Sequence, residues 1–370
     1  MDPGPRRKHS SANSPFRLFD GPIDVRSVAL TGLLTLATAY TLYVARSFLL
    51  PVVLAILLSF LLAPVMRVLR RIHVPQPVAA ALVMLTFAGA TLYGIYALSG
   101  PASSWIASAP QSLRKIDDKV RTLRKPVQKM NQAAEQVQQM ATVGDATPDP
   151  TVQKVEIKDA GIAESAFSVT QGFLAGSMVV VILLYFLLAS GDLFLRKLVR
   201  VLPRLEDKKV AVEIARQIED QISTYLLTVT CINIALGTVS AVVLSFVGMP
   251  NPVLWGVMIG TFNFVPYVGP FASMVVLTLV GVVTFDSIGR ALVAPAIYFF
   301  IDAIEGNFIT PALLGRRLAL NPVVIFLAVT FWGWLWGIGG ALLAVPMLAT
   351  LKIFCDEIKP LAAVGEFLGP

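Results

Sequence analysis

The chain has 370 residues, of which 56% are hydrophobic and only 14% charged, with a net charge of +7. A soluble globular domain carries roughly 25% charged residues, so this composition excludes one and implies a polytopic, all-α membrane protein embedded in a lipid bilayer. The basic excess has no basic–aromatic module beside it, which argues against a nucleic-acid partner.

Residues 1–27 read as a polar tail, and apolar runs near 28–45, 48–66 and 77–99 predict three transmembrane helices within 28–99. Each run approaches or exceeds the ~20 apolar residues that cross a hydrocarbon core ~30 Å thick as helix. Ala37-Thr38-Ala39 resembles a cleavage site, but the apolar run continues through it, so a retained helix is expected. Arg6, Arg7 and Lys8 precede the first span, Arg67, Arg70 and Arg71 end the second, and Arg196, Lys197, Arg200 and Arg204 follow the fourth. The positive-inside bias puts these clusters and both termini in the cytoplasm, and leaves Arg46 outside with residues 100–166.

That outer insertion carries apolar residues at Leu113, Ile116, Val120, Leu123, Val127, Met130, Ala134 and Val137, in alternating steps of three and four. Such a stripe is a coiled-coil seam, and it serves either packing on its own protein or membrane surface, or association between subunits. Pro126 is expected to kink or divide the helix. Residues 141–151 read as a loop. A fourth span over 167–190 opens the region 167–220, whose charged remainder is expected to form interfacial helices broken at Pro203. Cys231 and Cys355 fall in or at the end of apolar segments, where a cysteine usually serves as a small buried hydrophobe.

The region 221–353 is read as the transport core, followed by a cytoplasmic tail at 354–370. Spans are expected over 222–248 and 291–313, and between and after them lie two longer apolar runs, 251–283 and 321–353. As one straight helix, either run would be about 50 Å long. The first contains "NFVPYVGP", residues 263–270, and the second "WGWLWGIGG". Pro266 and Pro270 end helices, and Gly269 between them permits positive φ. A shift of 70 positions lays Asn251-Pro252-Val253 on Asn321-Pro322-Val323 and Gly269 on Gly339. Two repeated units follow, each a spanning helix plus a re-entrant hairpin. An inward-running helix at 291–313 puts Arg316 and Arg317 in the cytoplasm, so the units are expected to be inverted. The whole then has about six spanning helices and two broken hairpins.

Irregular backbone at membrane depth is tolerated where it is buried in protein or lines a watery cavity. Asn263, Pro266, Tyr267, Gly269 and Pro270 of the first break, and Gly339 and Gly340 of the second, are therefore candidate pathway residues. Asp302 and Glu305 lie inside the apolar run 291–313, where a carboxylate costs on the order of 3 kcal/mol and should face the interior. "EGNFITP", with Glu305, Asn307 and Thr310, is the strongest candidate for a proton or cation site, against a structural pairing with Arg290 or Arg316. Asn233, Thr228 and Thr230 are weaker candidates. His9 and His73 lie outside the spans and no phosphate-cradling loop is present, so neither an intramembrane protease nor a nucleotide-driven pump is expected. No catalytic residue, metal or cofactor is expected.

Taken with "NPVLWG", "NFVPYVGP", "EGNFITPALLG" and "WGWLWGIGGALLAVPMLA", the run from "GD" at 191 to "LP" at 202 resembles the autoinducer-2 exporter family, the PerM-like permeases, over about residues 25–360. The resemblance implies a bacterial inner-membrane permease with about eight membrane segments, a soluble insertion after the third, and homo-oligomers. It implies a secondary transporter exporting a small polar solute such as a quorum-sensing signal, or alternatively a sodium or lithium/proton antiporter. A channel, or a scaffold without transport, remains a further alternative.

Overall fold

The computed structural model describes residues 25–139, 160–191, 205–315 and 320–369, together with positions 193, 197 and 200. Every regular element among the described residues is helical. The basic cluster at residues 6–8, the loop at 141–151, Arg196, Pro203, Arg204, Arg316 and Arg317 lie outside them, as do the side chains of the seam at 113–137. The chain divides into two compact units: α1 (Val25–Val44) belongs to the first, which ends at Arg46, and Ser47 opens the second. In α1 the hydroxyls of Thr35, Thr38 and Thr41 each donate to the carbonyl four residues earlier. An apolar helix can carry threonines in hydrocarbon when each is satisfied within the helix.

From Ser47 on, the second unit takes in the rest of α2 (Arg46–Arg71), then α3 (Gln76–Gln139) and α4 (Ala160–Ser190). They close on Ala55, Ala80, Val83, Met84, Leu184 and Leu188. Pro126 does not divide α3, which runs as one 64-residue helix of roughly 96 Å. The penalty of ~3 kcal/mol for an interior proline falls among Lys, Arg, Gln, Glu and Ala, residues with strong helix propensity that continue the helix on both sides.

The charged segment expected to lie apart as an interfacial helix is instead the beginning of α5 (Leu205–Val247), continuous with the span. Val210, Ile214 and Ile218 step by four into Ile222 in the sequence, each about one turn beyond the last, so the apolar spacing carries on into the span. Then come α6 (Pro252–Phe262), α7 (Val268–Thr284), α8 (Ile288–Ala291) and α9 (Val293–Ile304). A π-helical turn (Glu305–Ile309) joins α9 to α10 (Thr310–Leu314), and α11 (Pro322–Glu357) and α12 (Ala362–Leu368) end the chain. By length and composition five stretches among the described residues can cross a membrane: Arg46–Arg71, Gln76–Ser108, Ala211–Val247, Ile288–Leu314 and Pro322–Glu357. Shorter apolar helices accompany them, α6 and α7 included. The fold is that of an all-α, multi-pass membrane protein.

Helix α5 packs against α6, α9, α10 and α11. Its union with α6 is the tightest, because glycines face each other across it. A Cβ on Gly256 would lie 2.4 Å from the Gly237 carbonyl oxygen and 2.6 Å from the Ala241 Cβ, and one on Gly260 would lie 2.7 Å from the Asn233 oxygen. The register, 233 with 260 and 237 to 241 with 256, is antiparallel. Small residues let membrane helices approach to backbone contact where no hydrophobic drive separates lipid from protein. Gly248, at φ +82°, makes the turn between them: Met249 N–H returns to the Leu244 carbonyl and Gly248 N–H to Ser245, a Schellman closure. Gly256→Val is therefore expected to cost at least about 1–3 kcal/mol through overpacking, read as a lowered melting temperature in detergent. Gly289→Ala, where a Cβ meets nothing within 4 Å, should leave it unchanged.

Both long apolar runs are broken. The first stops at Phe262 and resumes at Val268, with Tyr267 at φ 64°. The second is interrupted at Gly337, at φ 69° and ψ −149°. These two positive-φ positions are themselves 70 residues apart, the interval read between the sequence motifs. In the first break the positive φ falls on Tyr267, whereas Gly269, expected to carry it, lies in the first turn of α7. Glycine is required there for another reason: a Cβ at 269 would stand 1.9 Å from the Phe262 carbonyl oxygen. Pro270 also sits in that first turn, where no helical hydrogen bond is lost.

The two ends of α11 come together. Asn321 donates its backbone N–H to the Leu368 carbonyl at 3.0 Å, and Gly365 packs on Asp356, where a Cβ would lie 2.1 Å from the carboxylate Oδ1. One seven-residue helix, α12, thus touches both ends of a 36-residue element. Straight, those ends would stand about 54 Å apart. Helix α11 doubles back at Gly337, and Val329 before the break packs with Ala344 and Val345 after it. Val265, in the first break, is buried in that same cluster, so the first break packs between the two arms of the second interrupted helix.

Candidate functional site

The site is assembled from what α5 gathers. At the first break the helical ladder gives way to shorter steps, Val265 N–H to Phe262 and Val268 N–H to Pro266. Among the described residues no backbone donor reaches the carbonyls of Asn263 and Phe264. Asn263 caps α6 and donates its Nδ2 to Asn233 Oδ1 on α5 at 2.9 Å. Asn233 is 3% exposed, and its own Nδ2 has no hydrogen-bond partner among the described residues. An unpaired buried amide costs roughly 1–3 kcal/mol, so it is retained against stability.

Ser240 lies two turns further along α5, on the face of Leu236 and Leu244, and Ser273 lies on α7. Both are buried, and among the described residues neither Oγ has a hydrogen-bond partner. Ser273 adjoins the hydroxyl of Tyr298, a buried residue of α9. That hydroxyl donates across 3.4 Å to Asp302 Oδ1, one turn along α9. Glu305 follows one turn later, is 9% exposed, and accepts a hydrogen bond from Thr310 Oγ1 across the π turn. A π turn inserts an extra residue into the helix and frequently marks a functional position; here it swings Thr310 onto the carboxylate.

The sequence candidates thus resolve into separate placements. Asn263 joins Asn233, Asp302 joins Tyr298, and Glu305 joins Thr310. Arg290, weighed as a partner for the carboxylates, lies over the Phe285 ring instead. Asn307 is exposed and bonds back to the Ala303 carbonyl. Tyr267 is exposed at the break while Pro266 is half-buried. Gly339 faces a Leu50 methyl on α2, and Gly340 abuts the Trp332 carbonyl. Cys355 is buried as expected, whereas Cys231 is exposed on α5. Ser240, Ser273 and Tyr298 escaped the sequence reading. Two of them had one signal, spacing: Asn233 and Ser240 are seven apart, and Tyr298 and Asp302 four, which puts each pair on one helical face.

A multi-pass helical protein whose two interrupted helices meet beside buried polar groups has the architecture of the membrane transporters. A family profile, that of the AI-2E family transporter, matches residues 33–359, and the chain belongs to that family. It is 25% identical to the AI-2 transport protein TqsA of Escherichia coli (strain K12), over 85% of this chain and 87% of that one. It is 25% identical to "Putative transport protein YrrI" of Bacillus subtilis (strain 168), over 84% and 86%. A transport-protein relative in Borreliella burgdorferi is 28% identical over 55% of this chain and 56% of its own length.

Proposed function

We propose that this transporter is a secondary active permease exporting a small polar solute from the cytoplasm, with the flux driven by an ion gradient. The observation that carries the reading is the meeting of the two interrupted helices, joined through Val265 and set 70 residues apart, beside α5 and its buried amide. Each broken element is re-entrant in this reading. Helices α6 and α7, of 11 and 17 residues, reach only about 17 and 26 Å, short of the ~30 Å core. The breaks then lie near mid-bilayer, within two inverted units, and the freed carbonyls of Asn263 and Phe264 line the route beside Asn233. The membrane is the bacterial inner membrane, with both termini cytoplasmic and the α3 seam associating copies of the chain.

The cargo named for the E. coli relative, AI-2, is the first solute to test. Proteoliposomes preloaded with AI-2 should release it saturably when a proton gradient is imposed, faster than protein-free vesicles. Equal release from both would remove AI-2 as cargo, and non-saturable release would favour a channel. The Asp302 and Glu305 carboxylates, one turn apart in an apolar helix, favour a second reading as a cation/proton antiporter. In everted vesicles, collapse of a proton gradient on adding sodium or lithium separates the two.

A further inference from the structure

A cavity of about 320 Å³ opens away from the helix breaks, between α2, the start of α3, the end of α4 and α5. That volume sits at the lower end of ligand pockets. Its inner wall is apolar, with Phe60, Leu187 and Leu188, while Arg67, Arg70, Gln76 and Glu219 bring polar and charged groups of both signs. It lies where the apolar run of α2 gives way to arginines, the level at which a lipid headgroup meets its acyl chain. Gln76 closes one side by donating its Nε2 to the Leu188 carbonyl at 3.3 Å.

The Arg67 guanidinium bonds Asp220 through one nitrogen and Ser223 Oγ, at 3.4 Å, through the other. A guanidinium has five N–H donors, so a third acceptor is accommodated without breaking the ion pair. Among the described residues Arg67, Arg70 and Glu219 line the cavity, and Asp220, outside the lining, is bonded to Arg67, so the described charges offset each other and leave little for a simple anion. The cavity matches a zwitterion. We propose that this cavity binds a phosphate ester bearing a primary ammonium, as in the headgroup of an ethanolamine phospholipid. The phosphate sits on Arg67 and Arg70, the ammonium on Glu219, and the upper acyl chain against Phe60 and Leu187. Basic pockets between membrane helices are established headgroup sites; the acidic wall is what selects the amine.

The test is native mass spectrometry of the full chain in mild detergent with dioleoyl phosphatidylethanolamine, phosphatidylcholine or phosphatidylglycerol. Ethanolamine lipid should be retained about three- to fivefold better than either other lipid, the size of effect a partly exposed ion pair supplies. Glu219→Gln should erase the ethanolamine-over-choline preference, Arg70→Gln should weaken ethanolamine and glycerol lipids alike, and Ala63→Phe, which fills the cavity, should remove all retention. Displacement by free phosphoethanolamine would make a soluble ester a competent ligand, and lack of displacement would assign the site to lipid. Equal retention of all three lipids, preference for glycerol lipid, or undiminished retention by a folded Ala63→Phe variant would overturn the proposal.

Discussion

Gly269→Ala is expected to abolish transport although it adds a single methyl group. The new Cβ would stand 1.9 Å from the Phe262 carbonyl oxygen and 2.5 Å from its carbon. Both atoms are backbone, so no side-chain rotation relieves the clash, and the Asn263–Tyr267 turn must move. Gly340→Ala meets the Trp332 carbonyl oxygen at 2.1 Å and should behave alike. The informative comparison is Gly339→Ala, adjacent in sequence, whose Cβ would meet only the end of the Leu50 side chain at 2.8 Å. That methyl can swing aside, so flux should stay within about twofold of the parent, the effect of less than about 0.5 kcal/mol. The measurement is efflux from proteoliposomes normalised to inserted protein. Full flux through Gly269→Ala would show that the break tolerates rearrangement and is a mere kink.

The contrast between these glycines explains what the sequence could disclose. Spans were legible because hydrocarbon demands long apolar runs, and α2 falls where such a run predicted it. The breaks were legible because Pro266, Pro270 and "WGIGG" contradict helix in an apolar setting. Which residue takes the positive φ was not, since it depends on how the chain re-enters α7. That entry spends the left-handed conformation on Tyr267 and reserves Gly269 for close approach. The start of α5 was misplaced because charge density was read as a boundary, while the four-residue apolar spacing from Val210 to Ile222 ran through it. Within the candidate site, Glu305 announced itself by the cost of a carboxylate in an apolar run. Thr310 as its donor depends on a π turn, and no local propensity signals one. Ser273 was silent, and Ser240 signalled only by its spacing from Asn233, because serine is common in membrane helices; burial without a partner among the described residues distinguishes both, and burial is a tertiary property.

Glu305→Gln should lower gradient-driven flux at least about tenfold, equivalent to about 1.4 kcal/mol, while leaving the protein in the membrane at its normal level. Glutamine matches glutamate in shape, and its Oε1 can still accept from Thr310 Oγ1, so the packing around the π turn survives. What disappears is the negative charge and the site at which a proton or cation is exchanged. A carboxylate at 9% exposure in an apolar helix, with a single hydroxyl donor observed, is expensive to maintain, and removing the charge should, if anything, stabilise the fold. The two properties therefore move in opposite directions: melting temperature in detergent unchanged or raised, coupled flux lost. Thr310→Val should fall between, since it strips the donor but keeps the charge. Asn307→Ala, two residues along but pointing outward, should transport normally. Loss of melting temperature in step with flux would assign Glu305 a structural role, and normal coupled flux in Glu305→Gln would remove it from the mechanism and leave Asp302, beside Tyr298, as the carboxylate to test next.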